Sequence, residues 1–182
     1  MAARDALRDL APSPGAGFDA PFAMLDACHE RIGRTLDLLR RLREHVARHG
    51  ADTQARQAAG DVLRYFDLAA PQHHLDEERH VLPALDASGD PALVALAARL
   101  REDHRRMEAG WTAARAILSA LAEGTLANLA PEEDEVLASF TGLYTDHLAA
   151  EEGIAFPAAS ARLGAPDLER MGQDMRMRRG AA

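Results

Sequence analysis

The sequence contains no lysine. All 21 basic residues are arginine, set against 29 acidic residues for a formal charge of -8. That balance argues against a protein that grips nucleic acid or an anionic membrane. There is one cysteine, Cys28, which excludes an intramolecular disulfide framework and any cysteine-rich zinc or iron–sulfur site. No run approaches the roughly 20 apolar residues of a membrane span, and the N-terminal MAARDALRDL is too charged for the core of a secretion signal. A cytoplasmic location is therefore expected. Aromatics amount to only 4% and β-branched residues are scarce. What fills the chain instead is alanine, leucine and arginine, which lose little on entering a helix. Its 182 residues suffice for one domain with a real core. Eight histidines are the feature that composition does not explain.

The punctuation predicts an all-α protein of long helices with short joints. Residues 1–18 hold a charged segment and a Pro/Gly stretch, read as an extension or linker. Asp19, with Pro21 behind it, marks the start of a helix running to about Gly50. A second helical segment runs from near Asp52 to about Asp86, and Pro71 inside it predicts a kink or break. Ser88-Gly89-Asp90-Pro91 is a stop-and-restart signal with Asp90 as N-cap; the third helix then runs to about Glu123. Pro131 and the acidic run that follows start a fourth, ending near Gly164, since negative charge suits a helix N-terminus. A short fifth helix, from about Pro166 to Arg178, carries Leu168, Met171 and Met175 on one face. Four long helices with short connections imply an antiparallel up-down four-helix bundle over residues 19–164, with residues 165–182 as a C-terminal helix and tail.

The histidines fall on the faces that such a bundle buries. His29 sits within the apolar stripe Phe22, Leu25, Ile32, Leu36, Leu39, and His104 within Leu93, Leu96, Leu100, Met107, Trp111, Leu118. His73 follows Phe66 and Ala69, with Glu77 one turn later; Phe140, Leu143 and Ile154 bracket His147, with Glu151 one turn later. Residues four apart share a helix side, so each His-x-x-x-Glu pair projects inward. The pattern also repeats. His29 and His104 are 75 residues apart; His73 and His147, Glu77 and Glu151, Pro83 and Pro157, and Phe66 and Phe140 are each 74 apart. Two similar helix pairs thus place four imidazoles and two carboxylates around one interior point.

Burying such groups is costly unless they are paired or bound to metal. Two carboxylates among four histidines make sense as bridges between two cations. The donors suit iron, manganese or zinc, with the pair held at ~3.5–4 Å. The other four histidines have ordinary readings. His45 and His49 lie near a helix C-terminus, where imidazolium complements the dipole. His80 reads as a partly exposed residue at the bundle end. His74 adjoins His73, but the repeat selects His73 as the ligand. Cys28 reads as a buried, inert thiol.

The order His29, His73-x-x-x-Glu77, His104, His147-x-x-x-Glu151 resembles the hemerythrin-like HHE cation-binding family. The runs Glu77-Glu78-Arg79-His80-Val81-Leu82-Pro83 and Glu151-Glu152-Gly153-Ile154-Ala155-Phe156-Pro157 resemble that family's Glu-Glu-x-x-(Leu)-Phe-Pro segment. The likeness covers about residues 19–163. It implies a non-haem di-iron centre, oxo- or hydroxo-bridged, with Glu77 and Glu151 bridging and histidines 29, 73, 104 and 147 terminal. Oxygen-carrying hemerythrins typically have His-x-x-x-His on the third helix, whereas Glu108 follows His104 here. They also place an Asp five after the last histidine, where this chain has Glu at four. The resemblance is thus closer to the intracellular branch associated with oxygen, nitric oxide and peroxide chemistry or iron-centre repair. The repair proteins' N-terminal domain with paired cysteines has no counterpart here.

Three functions follow. One is a protein that binds or senses oxygen or nitric oxide, since four His and two Glu under-fill two six-coordinate irons. Another is an enzyme acting on peroxide or nitric oxide, for which Glu108 and Tyr144 are the only acid–base candidates. The third is ferritin-like iron handling, which wants Glu-x-x-His on two helices; Glu77–His80 fits and Asp26–His29 is a poor second. The sequence does not choose between binding and catalysis, nor between a monomer and a homodimer. Its expected partner is a small molecule (O2, NO or peroxide), not nucleic acid or membrane.

Overall fold

A computed structural model describes residues 17–180, and the expected extension at the N-terminus lies almost wholly outside them. Among the described residues there are helices and turns but no strand. They form four rods and a terminal helix. The first rod is α1 (Pro21–His49) and the third is α5 (Pro91–Glu123). The second is broken into α2 (Thr53–Leu68), α3 (Ala70–Asp76), a π-helical turn (Glu77–Val81) and α4 (Leu82–Asp86). The fourth repeats that plan as α6 (Pro131–Gly142), α7 (Thr145–Ala150), a π-helical turn (Glu151–Ala155) and α8 (Phe156–Ser160). Helix α9 (Ala165–Arg178) follows. Each rod packs on the next around a ring: α1 on α2, α2 on α5, α5 on α6, and α6 back on α1.

The ends obey local chemistry. Asp52 and Asp90 cap their helices, accepting from the backbone N–H of Ala55 (2.9 Å) and Ala92 (2.8 Å). Gly124 closes α5 with φ 77°, a left-handed conformation that costs glycine nothing. Asp19 does not cap α1: Ala20 holds that position, and the Asp19 carboxylate pairs with Arg176 on α9 at 3.2 Å instead. The second rod breaks at Ala69, two residues before Pro71, as expected from a residue that cannot donate and crowds the preceding turn.

The π-helical turns fall outside the regular-helix expectation, and both begin on the glutamate of a His-x-x-x-Glu pair. In each, the residue ahead of a proline (Leu82 before Pro83, Phe156 before Pro157) donates to a carbonyl five residues back, at Glu77 and Glu151. The wider turn inserts the equivalent of one residue, so side chains beyond it swing around the rod. This corrects the position of Ile154: it does not join the core but is 51% exposed, and Phe156 is buried in its stead. His80, its counterpart in the repeat, is likewise carried toward α9, where its Nε2 meets Asp174 at 2.8 Å.

Two apolar clusters fill the ring. One gathers Ile32, Leu36, Leu39, Phe66, Met107, Leu118, Phe140 and their neighbours. The other gathers Leu25, Val81, Leu82, Leu100, Ala155 and Phe156. Met171 and Met175 of α9 complete the second cluster, so the terminal helix packs on its own chain. It sits close: a Cβ on Gly172 would lie 2.0 Å from the Phe18 carbonyl oxygen, a spacing only glycine permits. On every rod the boundary between the clusters is occupied by polar residues.

Candidate metal centre

That boundary layer holds all six of the predicted ligands. His29 lies between Leu25 and Ile32, His104 between Leu100 and Met107, and the two His-x-x-x-Glu pairs lie ahead of Val81 and Ala155. His29, His73, Glu77, His104, His147 and Glu151 are all buried, and Glu77 and Glu151 are sealed completely. Their donor atoms converge as two sets. The first is His29, His73, Glu77 and Glu151; the second includes His104, His147 and Glu151.

Each carboxylate divides its oxygens between the sets. Glu77 turns Oε1 toward His73 Nε2 (3.1 Å) and His29 Nε2 (3.6 Å), and Oε2 toward His104 Nε2 (3.4 Å). Glu151 turns Oε1 toward His147 Nε2 (3.1 Å) and His104 Nε2 (3.7 Å), and Oε2 toward His29 Nε2 (3.2 Å). These are contact distances without hydrogen-bond geometry. Among the described residues, every buried side-chain nitrogen or oxygen without a hydrogen-bond partner belongs to these six residues or to His74. Native interiors almost never leave such groups unsatisfied. Six of these atoms, His29 Nε2, His104 Nε2 and both oxygens of Glu77 and Glu151, face one another, and such a set of nitrogen and oxygen donors suits a transition metal.

A second tier of carboxylates orients the imidazoles. His29 Nδ1 lies 3.0 Å from Glu152 Oε1, and His104 Nδ1 lies 2.8 Å from Glu78 Oε1. With Nδ1–H donating to a carboxylate, Nε2 is left free to bind a cation. The arrangement is reciprocal: the acidic residue after Glu77 or Glu151 in one half steers the lone histidine of the other. Sequence reasoning did not assign this role, although Glu78 and Glu152 are 74 residues apart and so carry the same repeat signal.

Electrostatics fit the geometry. Burial alone pulls an imidazole pKa down, but contact with Glu151 and Glu77 outweighs it and holds both His29 and His104 up at about 10. His73, packed away from water beside cationic His29, is pushed well below its ordinary value. Burial and the charge of Glu151 raise Glu77; burial opposes ionisation of Glu151 too, but His104, His147 and His29 outweigh it and keep Glu151 well below the carboxylate range. Burial and the neighbouring His104 push His74 down to about 3.

The remaining candidates lie around this layer. Glu108 is exposed and does not reach the site. Tyr144 is buried against Phe66 and Phe140, with ring centroids 5.8 and 5.5 Å away, and burial pushes its phenol far up. His45 pairs with Asp52 at 3.0 Å and lies against His49 with the rings tilted by 43°, away from the centre. Cys28 is buried, its thiol pushed up to about 11 by burial. Asp76, just ahead of Glu77, is fully buried and held by Arg178 and Arg179 from the end of α9.

The model of the hemerythrin HHE cation-binding domain matches residues 20–159. The chain belongs to this family. An uncharacterised protein of Haemophilus influenzae is 30% identical over 171 residues, spanning 93% of this chain and 96% of the relative. As a hemerythrin HHE domain the chain is a cation-binding protein, and its buried His/Glu layer is where a cation fits. No helix among the described residues is long and apolar enough to cross a membrane.

Proposed function

We propose that this hemerythrin HHE domain holds two iron ions and uses them to bind or sense a small diatomic molecule, oxygen or nitric oxide. The observation that carries the reading is the split of each buried carboxylate between two sets of imidazoles. Glu77 and Glu151 would be shared between the ions, with His29 and His73 holding one and His104 and His147 the other. The rods run up and down in alternation, as short joints at Gly50–Asp52 and Ala87–Asp90 favour. Iron supplies redox-active positions that the six side chains leave open to a small ligand. The chain supplies everything else: Glu152 and Glu78 fix the imidazole orientations, and the apolar clusters on either side exclude water.

Binding is favoured over turnover because catalysis on peroxide or nitric oxide calls for a proton donor at the site. Glu108 faces solvent, and the buried Tyr144 phenol holds its proton tightly. The ferritin-like alternative is weaker still, since His80 of its Glu-x-x-His pair is bound to Asp174 rather than turned inward. The excess of 29 acidic residues over 21 arginines speaks for a small-molecule ligand over nucleic acid.

The test is metal analysis of protein purified under iron-replete conditions, with an optical spectrum. The expected result is about two irons per chain with oxo-bridged ferric bands in the near ultraviolet, reduced in His73→Ala and Glu151→Ala. A metal-free protein whose stability is unchanged by both substitutions would sink the proposal. Stopped-flow mixing then separates the alternatives: stoichiometric binding supports the sensor, and many turnovers of peroxide or nitric oxide support an enzyme.

A further inference from the structure

One imidazole at the centre has no counterpart in the repeat. The position 74 residues beyond His74 is Leu148, a partly buried side chain packed against the larger apolar cluster. His74 instead stacks on His104, ring centroids 4.3 Å apart and planes 13° from parallel, and lies edge-on to His147 at 6.5 Å. Its Nε2 is the ninth buried atom without a hydrogen-bond partner, and the only one outside the six proposed ligands among the described residues.

His74 is not a seventh ligand. It contributes to neither converging set of donors. An imidazole offers its lone pair in the plane of the ring, so His74, stacked nearly parallel on His104, would not offer its lone pair to a cation that His104 would hold. An unpartnered nitrogen beside a cation, but not aimed at it, is placed for whatever else the cation binds.

A route to that position exists on the same side. A cavity of about 340 Å³ is lined by Phe66, Met107, Trp111 and Tyr144 together with His74 and His104. Its lining also includes the exposed Leu75, Arg105 and Glu108, so it opens to solvent. The apolar walls suit a small, weakly hydrated molecule; Glu78 and Arg101 also line the cavity but are engaged with His104 and Asp86, which leaves His74 Nε2 as the unpartnered polar atom beside the centre.

We propose that this cavity is the access path to the centre, and that His74 Nε2–H is the hydrogen-bond donor that holds a two- or three-atom ligand beside His104 and His147. The inference rests on the cation-pair reading and adds where the ligand enters and which residue selects it. A ligand with an accepting atom at its far end is retained, whereas one without it is not. His74 is a positioning residue: it acts on the ligand and leaves the ions in place.

Azide is the probe, titrated into the iron-loaded ferric protein. Wild-type protein is compared with His74→Leu, which fills the space without a donor, and His74→Gln, which restores one. In His74→Leu the azide dissociation constant rises about tenfold, the loss of one good hydrogen bond. Iron stays at two per chain, His74→Gln recovers part of the affinity, and the wild-type shift of the azide vibration in heavy water disappears. Azide affinity within twofold of wild type in both variants overturns the inference and leaves the iron reading intact. A fall to about one iron in both variants overturns it differently, by making His74 a ligand. A wild-type protein that takes up no iron overturns both readings together.

Discussion

Removing Arg178 and Arg179 tests whether the last turns of α9 hold the centre in shape. Asp76 is fully buried one residue ahead of Glu77, and two guanidinium groups neutralise it. Arg179 Nη2 donates to Oδ2 at 2.6 Å, and Arg178 Nη2 donates to Oδ1. The two arginine side chains are 19% and 13% exposed, so the cluster is screened from water. In the variant R178M/R179M the apolar stems are kept and both charges are lost, leaving a buried carboxylate without a cation. Breaking a buried pair from one side costs about 3–5 kcal/mol, mostly the penalty on the charge left behind. In a domain of this size each kcal/mol moves the midpoint by roughly 2–4 °C, so thermal unfolding should come roughly 10 °C lower. Adding D76N removes the charge that needs neutralising and should recover at least half of the loss. The assay is urea and thermal unfolding of the metal-free protein at pH 7, with iron retention against a chelator as a second readout, since the loosened residue adjoins the turn that carries Glu77. A loss under about 1 kcal/mol in R178M/R179M, or no recovery on adding D76N, would refute the reasoning.

Other expectations follow from the same geometry. His29 and His104, held at about 10 in the metal-free protein, are both protonated at pH 7 and must lose a proton to bind a cation. Loading should therefore release about two protons per chain from these histidines; calorimetry in buffers of different ionisation heat measures this, and no release contradicts the assignment. E78Q and E152Q should each weaken metal binding about 10–100-fold through His104 and His29, read by competition with a chelator, and unchanged affinity in both would remove the orienting role. Burial raises the pKa of Asp174, but Arg178 and His80 outweigh it and lower it to about 2, from 3.8. A depressed carboxylate contributes its stability above pH 3.8 and loses it as pH falls toward 2, a term of about 2 kcal/mol. Acid titration of the metal-free protein should show a shallower loss over that window in D174N, and identical profiles would exclude the contribution.

The buried His/Glu cluster was legible because a buried histidine leaves a double trace, its place on an apolar stripe and its partner in the repeat. Glu78 and Glu152 left the second trace only, being half-buried and exposed, and so passed as ordinary surface acids. Ile154 was misread for a different reason, whereas His80 is partly exposed as expected. A helical wheel advances every residue by the same angle, and the π-helical turns before Pro83 and Pro157 break that assumption where Glu77 and Glu151 sit. His74 escaped because a wheel assigns one of two neighbours to the interior. A rod in a four-membered ring has interior neighbours on both sides, so His73 meets His29 (4.9 Å between ring centroids) while His74 meets His104. The repeat therefore describes the six buried donors, which are nearly two-fold symmetric. It cannot describe how anything reaches them, because access needs only one opening. Under the proposal made above, that opening lies where the symmetry fails, with a histidine on the second rod against a leucine on the fourth.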